Sequence, residues 1–358
     1  MSRHVAVVAS SDVFGGAEAN LIDLYRGLVE RYGVKVTLVG DVAGWPEDLG
    51  DRVSLGAPPK LTRRIPIARQ ASGTIPYLQR ARRAALRLKG VDAYHVQYVR
   101  EKLFLPKLLA RHAPVLWTEH GALAPNFPPG AVPLLRSQSS ASTVLAVSSI
   151  VTESLAEAGI VSKTIWNPLP SFENQSDLRS PGSPITVMYA GRLHAAKRVN
   201  LLLEAARLLP QVRTIIAGTG GEAEALRRSA PPNVEFVGHA TDVAALMRRV
   251  DAVILPSGSA AREGSPLSVL EARSLGIPSL VAADCHAAAE AMDLGGELFQ
   301  PEAGALAQAI SGIRTGAPRV EVAPQVRAQR SRMNWLGLYN AVLEGTSPPL
   351  TKQRKGDE

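Results

Sequence analysis

Short apolar runs alternate with amphipathic, helix-length segments along most of the chain. The first unit consists of the apolar run HVAVVAS, the loop SDVFGG, the helical pattern AEANLIDLYRGLVERYG and a second apolar run, KVTLVG. Short apolar runs between polar or small residues predict buried strands, and Gly33 is typical of the residue that follows a helix. The later runs VDAYHV, APVLWT and STVLAVS extend this strand and helix series through the first half.

The second half repeats the pattern more plainly. Its apolar runs ITVMYAG, VRTIIAG, VEFVG, DAVILPS and IPSLVAA are separated by helical patterns such as NLLLEAARLL. Strands that alternate with helices predict a parallel sheet covered by helices on both faces. Because 358 residues is about twice the usual length of a domain, we predict an α/β protein with two doubly wound, Rossmann-like domains.

The boundaries of these domains follow from composition. The stretch SFENQSDLRSPGSP is rich in Ser, Pro and Asn and has no period, which indicates a linker over residues 171–184. We therefore predict an N-terminal domain at 1–170 and a C-terminal domain at 185–330. The amphipathic stretch RSRMNWLGLYNAVLEG predicts a last helix at about 331–345, and the polar tail 346–358 is predicted to be disordered.

Compartment can be judged from hydropathy and cysteine usage. The chain has no long uncharged apolar run of the kind that spans a bilayer. Its first apolar run turns polar at Ser10, too early for the core of a signal peptide. The single cysteine, Cys285, cannot form an internal disulfide and is expected to be a buried, inert thiol. These features predict a cytoplasmic protein.

The net charge of +8 favours an anionic partner. Much of the excess lies in residues 60–102, where only Asp92 and Glu101 are acidic and the cations are Lys60, Arg63, Arg64, Arg69, Arg80, Arg82, Arg83, Arg87, Lys89, Arg100 and Lys102. Within this segment IPYLQRARRAALRLKG has apolar residues at helical spacing between arginines, as in helices that lie on anionic membranes. A solvated helix face is the alternative. Nucleic acid is disfavoured because aromatic residues are few and no reading motif is present.

Ligands of such sheets bind beyond the carboxyl ends of the strands, so the loops there carry the candidate chemistry. In REGSPLSVLEA, Pro266 suits the first turn of a helix, with Glu263 before that helix and Glu271 inside it. Free backbone N–H groups near Leu267 and Ser268 would form an anion site suited to phosphate. Carboxylates beside it would suit sugar hydroxyls. The alternative is a helix-terminal charge and an ordinary surface glutamate.

Three further loops follow predicted strands. AGRLHAAKRVN carries Arg192 and Lys197, cations that could meet a phosphate, although solvated surface residues are the alternative. AGTGGEAE contains Gly218, and SDVFGG contains Gly15 and Gly16. Glycines there permit close approach of the backbone to a ligand, while ordinary turns are the alternative. Because the two glycine loops lie in different domains, they could face one cleft.

His120 ends the run APVLWTEH and is a candidate for lining that cleft; a structural histidine is the alternative. Several chemistries are not indicated, because GxxxxGK[ST], HExxH, CxxC and GxSxG are missing from the sequence. No Asp-x-Asp pair is present either. We therefore expect no metal site, with a diphosphate neutralised instead by Arg192, Lys197 and helix termini.

Together these motifs resemble those of glycosyltransferase family 4, retaining enzymes with the GT-B fold. The resemblance rests on GGAE, YAGRLxxxK, AGTG, VEFVG, EGSPLSVLEA and GIPSLVA, and is densest over residues 185–285. It implies two Rossmann-like domains that face each other across a cleft. The first would bind the acceptor and the second the nucleotide sugar, and the last helix would pack back on the first domain.

The resemblance also implies roles for residues. Glu263 would contact hydroxyls of the donor sugar and Glu271 the ribose. Arg192 and Lys197 would bind the diphosphate, and His120 would line the sugar site. The implied donor site also includes Gly15, Gly16, Gly191, Gly218, Gly238, Gly264, Ser265, Pro266, Leu267 and Ser268. Two departures are the longer spacing between PS and Glu263 and the stretch NPLP at 167–170 in place of the usual PNG turn.

The resulting hypothesis is that a sugar is transferred with retention from a nucleoside diphosphate sugar to a hydroxyl of a small molecule or lipid-linked glycan. A UDP-sugar is the expected donor, because UDP-sugars are frequent donors in the family. The two glutamates do not suit a double displacement. We therefore expect a front-face reaction, as the resemblance implies, without metal or cofactor. The enzyme could also contact the inner membrane face through residues 60–102. The alternatives are an inactive paralogue that only binds nucleotide sugars, and a basic nucleic-acid-binding protein.

Overall fold

A computed structural model describes residues 2–57, 67–123, 131–172, 180, 182–315 and 321–345, with backbone only for 67–72. The predicted tail and most of the predicted linker lie outside these residues. Cys285 lies within them and is buried, as expected.

The first sheet contains seven parallel strands in the order β3-β2-β1-β4-β5-β6-β7. Their bounds are β1 His4–Val8, β2 Lys35–Val39, β3 Asp51–Val53, β4 Ala93–Val96, β5 Val115–Glu119, β6 Thr143–Ala146 and β7 Lys163–Thr164. The helices between them are α1 Gly16–Tyr32, α2 Ile67–Arg87, α3 Val99–Phe104, α4 Pro106–Leu109, α5 Ala131–Ser139 and α6 Ser149–Glu157.

Burial explains the sequence pattern of this sheet. β1 lies between β2 and β4, with Val5 opposite both Val36 and Ala93, and all its residues are buried. A central parallel strand is covered on both faces, which is why HVAVV shows no alternation. α1 ends at Gly33, whose φ of 63° is the left-handed conformation that glycine adopts without strain. The predicted helix end is therefore confirmed.

The second sheet contains six parallel strands in the order β10-β9-β8-β11-β12-β13. The strands are β8 Thr186–Ala190, β9 Arg213–Ala217, β10 Val234–Gly238, β11 Ala252–Leu255, β12 Ser279–Ala282 and β13 Glu297–Phe299. The helices are α7 Val199–Leu208, α8 Ala223–Ser229, α9 Val243–Met247, α10 Leu267–Ser274, α11 Ala288–Asp293, α12 Ala303–Ser311 and α13 Pro324–Gln329. The prediction of two Rossmann-like domains is confirmed.

The last helix, α14 Arg332–Leu343, returns to the first sheet. The Ser331 hydroxyl accepts a hydrogen bond from the Asn334 N–H (3.2 Å) and caps its start. Trp335 and Leu336 join the core formed by α1 and β1. Leu336 also occupies the space that a side chain at Gly27 would fill. The chain thus crosses between the domains twice, near residue 167 and near residue 330.

The prediction missed three edge strands, β3 (DRV), β7 (KT) and β13 (ELF). Each is short and largely lacks the apolar run that marks a buried strand, because an edge strand has a neighbour on one side only. Edge pairing is decided by the partner strand, which the local sequence does not show.

Not all cations of the basic segment, residues 60–102, lie on the surface. Lys102 is buried, and its ammonium donates to the Thr118 carbonyl (2.5 Å) and pairs with Glu119 (3.0 Å). Arg100 is also largely buried, beside Glu101. The count of cations in residues 60–102 therefore overstates the exposed basic surface by these two residues. No helix among the described residues is both long and apolar enough to cross a membrane.

Candidate functional site

The strand order reverses between β8 and β11, because β8 is paired with β9 on one side and β11 on the other. In open α/β sheets this switch point leaves a crevice outside the carboxyl ends of the strands, where ligands bind. The loop after β8 carries Lys197 and the loop after β11 carries Glu263. The fold therefore brings two sequence-predicted residues, 66 positions apart, to one crevice.

Lys197 and Glu263 form an ion pair at this crevice. The Ser257 hydroxyl donates a second hydrogen bond to the Glu263 carboxylate (2.8 Å). The side chains of Lys197 and Glu263 are 21% and 12% exposed, so a ligand could still reach both. Partial burial strengthens interactions between such charges and a ligand relative to those on an open surface.

Backbone geometry on both sides supports this pair. Arg198 (φ 48°) and Arg262 (φ 53°) are the only non-glycine residues with positive φ among those described. Each ends a short 3-10 turn, Ala195–Lys197 and Ser259–Ala261 respectively. The second turn accommodates the longer spacing before Glu263. Conformations of this kind cost about 1–3 kcal/mol and persist where the surroundings enforce them.

Arg198 shows how its surroundings enforce that conformation. Its guanidinium donates two hydrogen bonds to Asp284 (2.9 and 2.6 Å) and one to the Pro256 carbonyl (2.8 Å). These contacts join the loops that follow β8, β11 and β12. Arg198 and Asp284 were not predicted from the sequence; the position of Arg198 directly after Lys197 was the available signal.

The predicted glycines lie in loops that pack against one another. The Gly218 N–H donates to the Gly238 carbonyl (2.7 Å), and the Gly191 N–H donates to the Ala217 carbonyl (3.0 Å). A Cβ atom on Gly218 would overlap the Gly191 carbonyl oxygen. Close packing of adjacent loops is therefore sufficient reason for glycine at 218, and it keeps the surface above these loops free of side chains.

The start of α10 faces the glycine loop of the first domain. Pro266 is the residue before the helix and not its first residue, which corrects the sequence-based placement by one position. Within the described chain the Leu267 and Ser268 N–H groups make no backbone hydrogen bond, whereas Val269 and Leu270 donate to the Pro266 carbonyl. A Cβ on Gly16 would lie 3.5 Å from the Leu267 side chain. The loop containing Gly15 and Gly16 thus meets a helix N-terminus that can accept an anion.

His120 lies where the first domain touches the second. Gly121 forms an isolated antiparallel bridge with Glu263, and a Cβ on Gly264 would overlap the His120 carbonyl oxygen. The imidazole contacts the side-chain amide of Gln97, which follows β4. Burial, with the positive charge of Lys102, lowers the pKa of His120 to about 3. The ring is therefore neutral at physiological pH and can exchange hydrogen bonds but not carry charge.

Glu271 lies in α10 and faces the loop after β10. Burial, with the charge of Asp242, raises the pKa of Glu271 to about 7. Its carboxyl group would therefore be partly protonated near neutral pH. A ligand that donates hydroxyl hydrogen bonds would favour the ionised form.

Arg192 differs from Lys197 in being exposed. Its carbonyl accepts a hydrogen bond from the Tyr189 hydroxyl (2.8 Å), and its guanidinium has no hydrogen bond to any described residue. Ser265, by contrast, is buried, and its hydroxyl donates to Glu290 (2.7 Å). Among the described residues no group of His, Cys, Asp and Glu side chains is arranged to hold a metal ion.

Comparisons with known proteins agree with this architecture. The family model "Glycosyltransferase Family 4" matches residues 14–169, and "Glycosyl transferases group 1" matches residues 184–315. Among curated protein sequences, none matches the chain.

Solved structures match over nearly the whole length. Anabaena HepE in complex with UDP has a TM-score of 0.72 at 20% identity, covering 96% of this chain and 100% of that one. HepE in complex with UDP-glucose has a TM-score of 0.70 at 20% identity, covering 96% of this chain and 99% of that one. Sucrose-phosphate synthase from Thermosynechococcus elongatus has a TM-score of 0.73 at 16% identity, covering 96% of this chain and 100% of that one. The likeness is one of fold.

Proposed function

Because the chain belongs to the glycosyltransferases and has the GT-B fold, we propose that it transfers a sugar from a nucleoside diphosphate sugar to a hydroxyl acceptor with retention of configuration. The observation that carries this proposal is the Lys197–Glu263 pair at the β8/β11 switch point, beside the free N-terminus of α10. Cations and backbone N–H groups at one end of a sugar-binding crevice suit a departing diphosphate.

In the proposed reaction, Arg192, Lys197 and the N–H groups of Leu267 and Ser268 hold the diphosphate. Glu263 and the neutral imidazole of His120 contact sugar hydroxyls. The bond between the anomeric carbon and the phosphate oxygen breaks while the acceptor oxygen bonds to that carbon from the same face. The acceptor proton passes to the leaving phosphate oxygen. This route assigns no protein nucleophile and uses no metal or cofactor.

We further propose that the first domain, residues 1–170 with the last helix, binds the acceptor and that residues 185–330 bind the donor. The acceptor would be a small molecule or a lipid-linked glycan in the cytoplasm. Retention is tested by NMR assignment of the anomeric configuration of the product. Nucleotide binding without turnover would favour an inactive paralogue.

The donor base is proposed to be uracil, since HepE was solved with UDP and with UDP-glucose. We expect UDP to raise the melting temperature of this protein more than GDP, ADP or dTDP. A ligand at about 100 times its dissociation constant stabilises a folded protein by roughly 2.7 kcal/mol. If none of the four nucleotides raised it, the donor proposal would be contradicted.

Glu271 should make UDP binding depend on pH. Since burial raises the pKa of Glu271 to about 7 and ribose hydroxyls prefer the ionised carboxylate, affinity should rise as the pH increases. We expect binding to be about tenfold tighter at pH 8 than at pH 6, measured by calorimetry.

The matched variant is Glu271→Gln, which keeps the shape of the side chain and removes its titration. It should bind UDP more weakly at pH 8 and retain only the pH dependence of the ligand's own phosphate. It should also raise the melting temperature of the ligand-free protein at pH 8, because burying a carboxylate that ionises more readily when unfolded costs stability there. An identical pH profile in both proteins would remove Glu271 from the site.

We also propose that α2 contacts an anionic membrane. Its described cations Arg80, Arg82, Arg83 and Arg87 are exposed, as is Ile75, while Tyr77 and Leu78 face the core. Electrostatic attraction to an anionic surface contributes about 1 kcal/mol for each such cation. We expect the wild-type protein to sediment with phosphatidylserine liposomes at low salt. The variant Arg82→Glu/Arg83→Glu should no longer do so. Equal sedimentation of both proteins would contradict this proposal.

A further inference from the structure

Five buried polar side chains form a continuous path between the two domains. We call them the hinge cluster: Asn20, Asn167, Ser265, Glu290 and Arg330. None is more than 8% exposed. Polar groups this deeply buried are costly unless each finds a partner, so their contacts indicate what they hold in place.

The centre of the cluster joins the two places where the chain crosses between domains. Ile165 packs in the first core and Leu169 in the second, so the first crossing lies between them. The Leu169 N–H donates to the Arg330 carbonyl (2.7 Å), and the Arg330 Nε donates to the Asn167 carbonyl (3.1 Å). The guanidinium also lies over the Trp166 ring, 5.1 Å from its centroid.

The two ends of the cluster reach the candidate site from opposite sides. At the first-domain end, the Asn20 Nδ2 donates to the Asn167 Oδ1 (3.1 Å), and Asn20 lies on α1 one turn after Gly16. At the second-domain end, Arg330 forms a buried ion pair with Glu290, which accepts a hydrogen bond from Ser265 (2.7 Å). Ser265 directly precedes Pro266 and the free N–H groups of α10.

Stability alone is a weak reason for this arrangement. A buried ion pair can often be replaced by apolar side chains of similar size without loss of stability, because both charges lose hydration on burial. Here one Glu290 oxygen, Oε2, is buried without a hydrogen bond in the described structure. The other, Oε1, accepts from both Arg330 and Ser265. The pair thus links Ser265, in the loop before α10, to the two chain crossings near residues 167 and 330. An apolar pair could not make these hydrogen bonds.

We propose that Arg330 and Glu290 are positioning residues of the donor site. They hold Ser265, and with it the Leu267 and Ser268 N–H groups, in a fixed position relative to the crossings that join the domains. The inference rests on the proposed function, because it assumes that these N–H groups bind the donor diphosphate.

The test replaces the whole ion pair. Glu290→Leu alone would leave a buried, unpaired guanidinium and should lower the melting temperature strongly. Glu290→Leu/Arg330→Met removes both charges and should melt near the wild type. If these residues position the loop that contains Ser265, the double variant should bind UDP at least about tenfold more weakly than the wild type despite its normal stability. It should also show a higher KM for the donor. Ser265→Ala should weaken binding in the wild type and add little in the double variant.

A matched control uses a neighbouring pair. Asp23 on α1 and Arg332 on α14 form an exposed ion pair two residues from Arg330. Asp23→Leu/Arg332→Met likewise replaces a carboxylate and its arginine partner with a leucine and a methionine. It should leave UDP affinity unchanged. The conservative Glu290→Gln supplies a second variant that keeps an oxygen for Ser265, and it should retain more UDP affinity than the double variant.

The outcomes are distinct. Wild-type affinity for UDP in a folded double variant would overturn the inference and leave the proposed function standing. Failure of UDP and of the other three nucleotides to bind the wild type would overturn the proposed function itself, and the inference with it. A double variant that fails to fold while Ser265→Ala binds UDP as tightly as the wild type would assign the cluster a structural role only and would also overturn the inference.

Discussion

Lys197→Met is expected to lower kcat by about 100- to 1000-fold, equivalent to roughly 3–4 kcal/mol of transition-state stabilisation. The ammonium would neutralise charge that appears on the diphosphate only as the sugar leaves, so its loss should affect turnover more than UDP affinity. Steady-state kinetics with a nucleotide sugar that carries the base identified by the nucleotide panel, together with calorimetry of UDP binding, would separate the two effects.

The ion pair with Glu263 complicates this variant, because removing Lys197 also leaves a partly buried carboxylate without its cation. Combining Lys197→Met with Glu263→Gln addresses this point. Residues in direct contact are not additive, so the double variant should lose less than the sum of the two single losses. Lys35→Met is the control, since Lys35 is 57% exposed and pairs only loosely with Asp51 at the far sheet edge. Near-normal turnover in Lys197→Met would remove Lys197 from the catalytic site.

Gly264→Ala is the second substitution with a large expected effect. A Cβ atom at this position would overlap the His120 carbonyl oxygen and lie 2.8 Å from the Val151 side chain. Both obstacles belong to the first domain, so the added methyl group would push the two domains apart at the site. A displacement of about 1 Å can cost about 100-fold in rate, and we expect a loss of that order.

Stability should respond much less than rate. Gly264 lies outside both sheets, and neither domain core depends on it. The melting temperature of Gly264→Ala should therefore remain close to that of the wild type while kcat falls. Gly304→Ala is the matched control, because that glycine lies in α12 with nothing within 4 Å of an added Cβ. Full turnover in Gly264→Ala would show that the domains do not approach this closely during catalysis.

The fold could be predicted well because its signals are local. Buried strands such as β1 and β8 are apolar after their first residue, and helices such as α1 and α7 have an apolar face and a clear end. The edge strands β3, β7 and β13 were missed because their pairing depends on neighbours distant in sequence. Likewise the burial of Arg100 and Lys102 could not be predicted, since a run of charges does not show which side chains face the core.

The candidate site could be predicted in part. The loops that carry Lys197, Glu263, Gly16 and His120 follow predicted strands, so their shared edge could be inferred from the topology of parallel sheets. The supporting residues Gln97 and Asp284 were missed because each acts through a contact between separate loops. Ser257 was missed because its contact with Glu263 depends on how the loop between β11 and α10 folds back on itself. The pKa values of His120 and Glu271 depend in the same way on burial, which is a property of the assembled structure.

By itself the sequence determined the alternation of strands and helices, the two-domain organisation and the set of loops that could bind a ligand. These depend on hydrophobic periodicity and on glycine and proline, which act over a few neighbouring residues. Only the tertiary structure decided that Lys197 meets Glu263, that Gly264 touches His120 and that Arg330 joins Glu290 to Asn167. The reason is physical: such contacts form between distant segments, and their geometry is set by how whole sheets and helices pack.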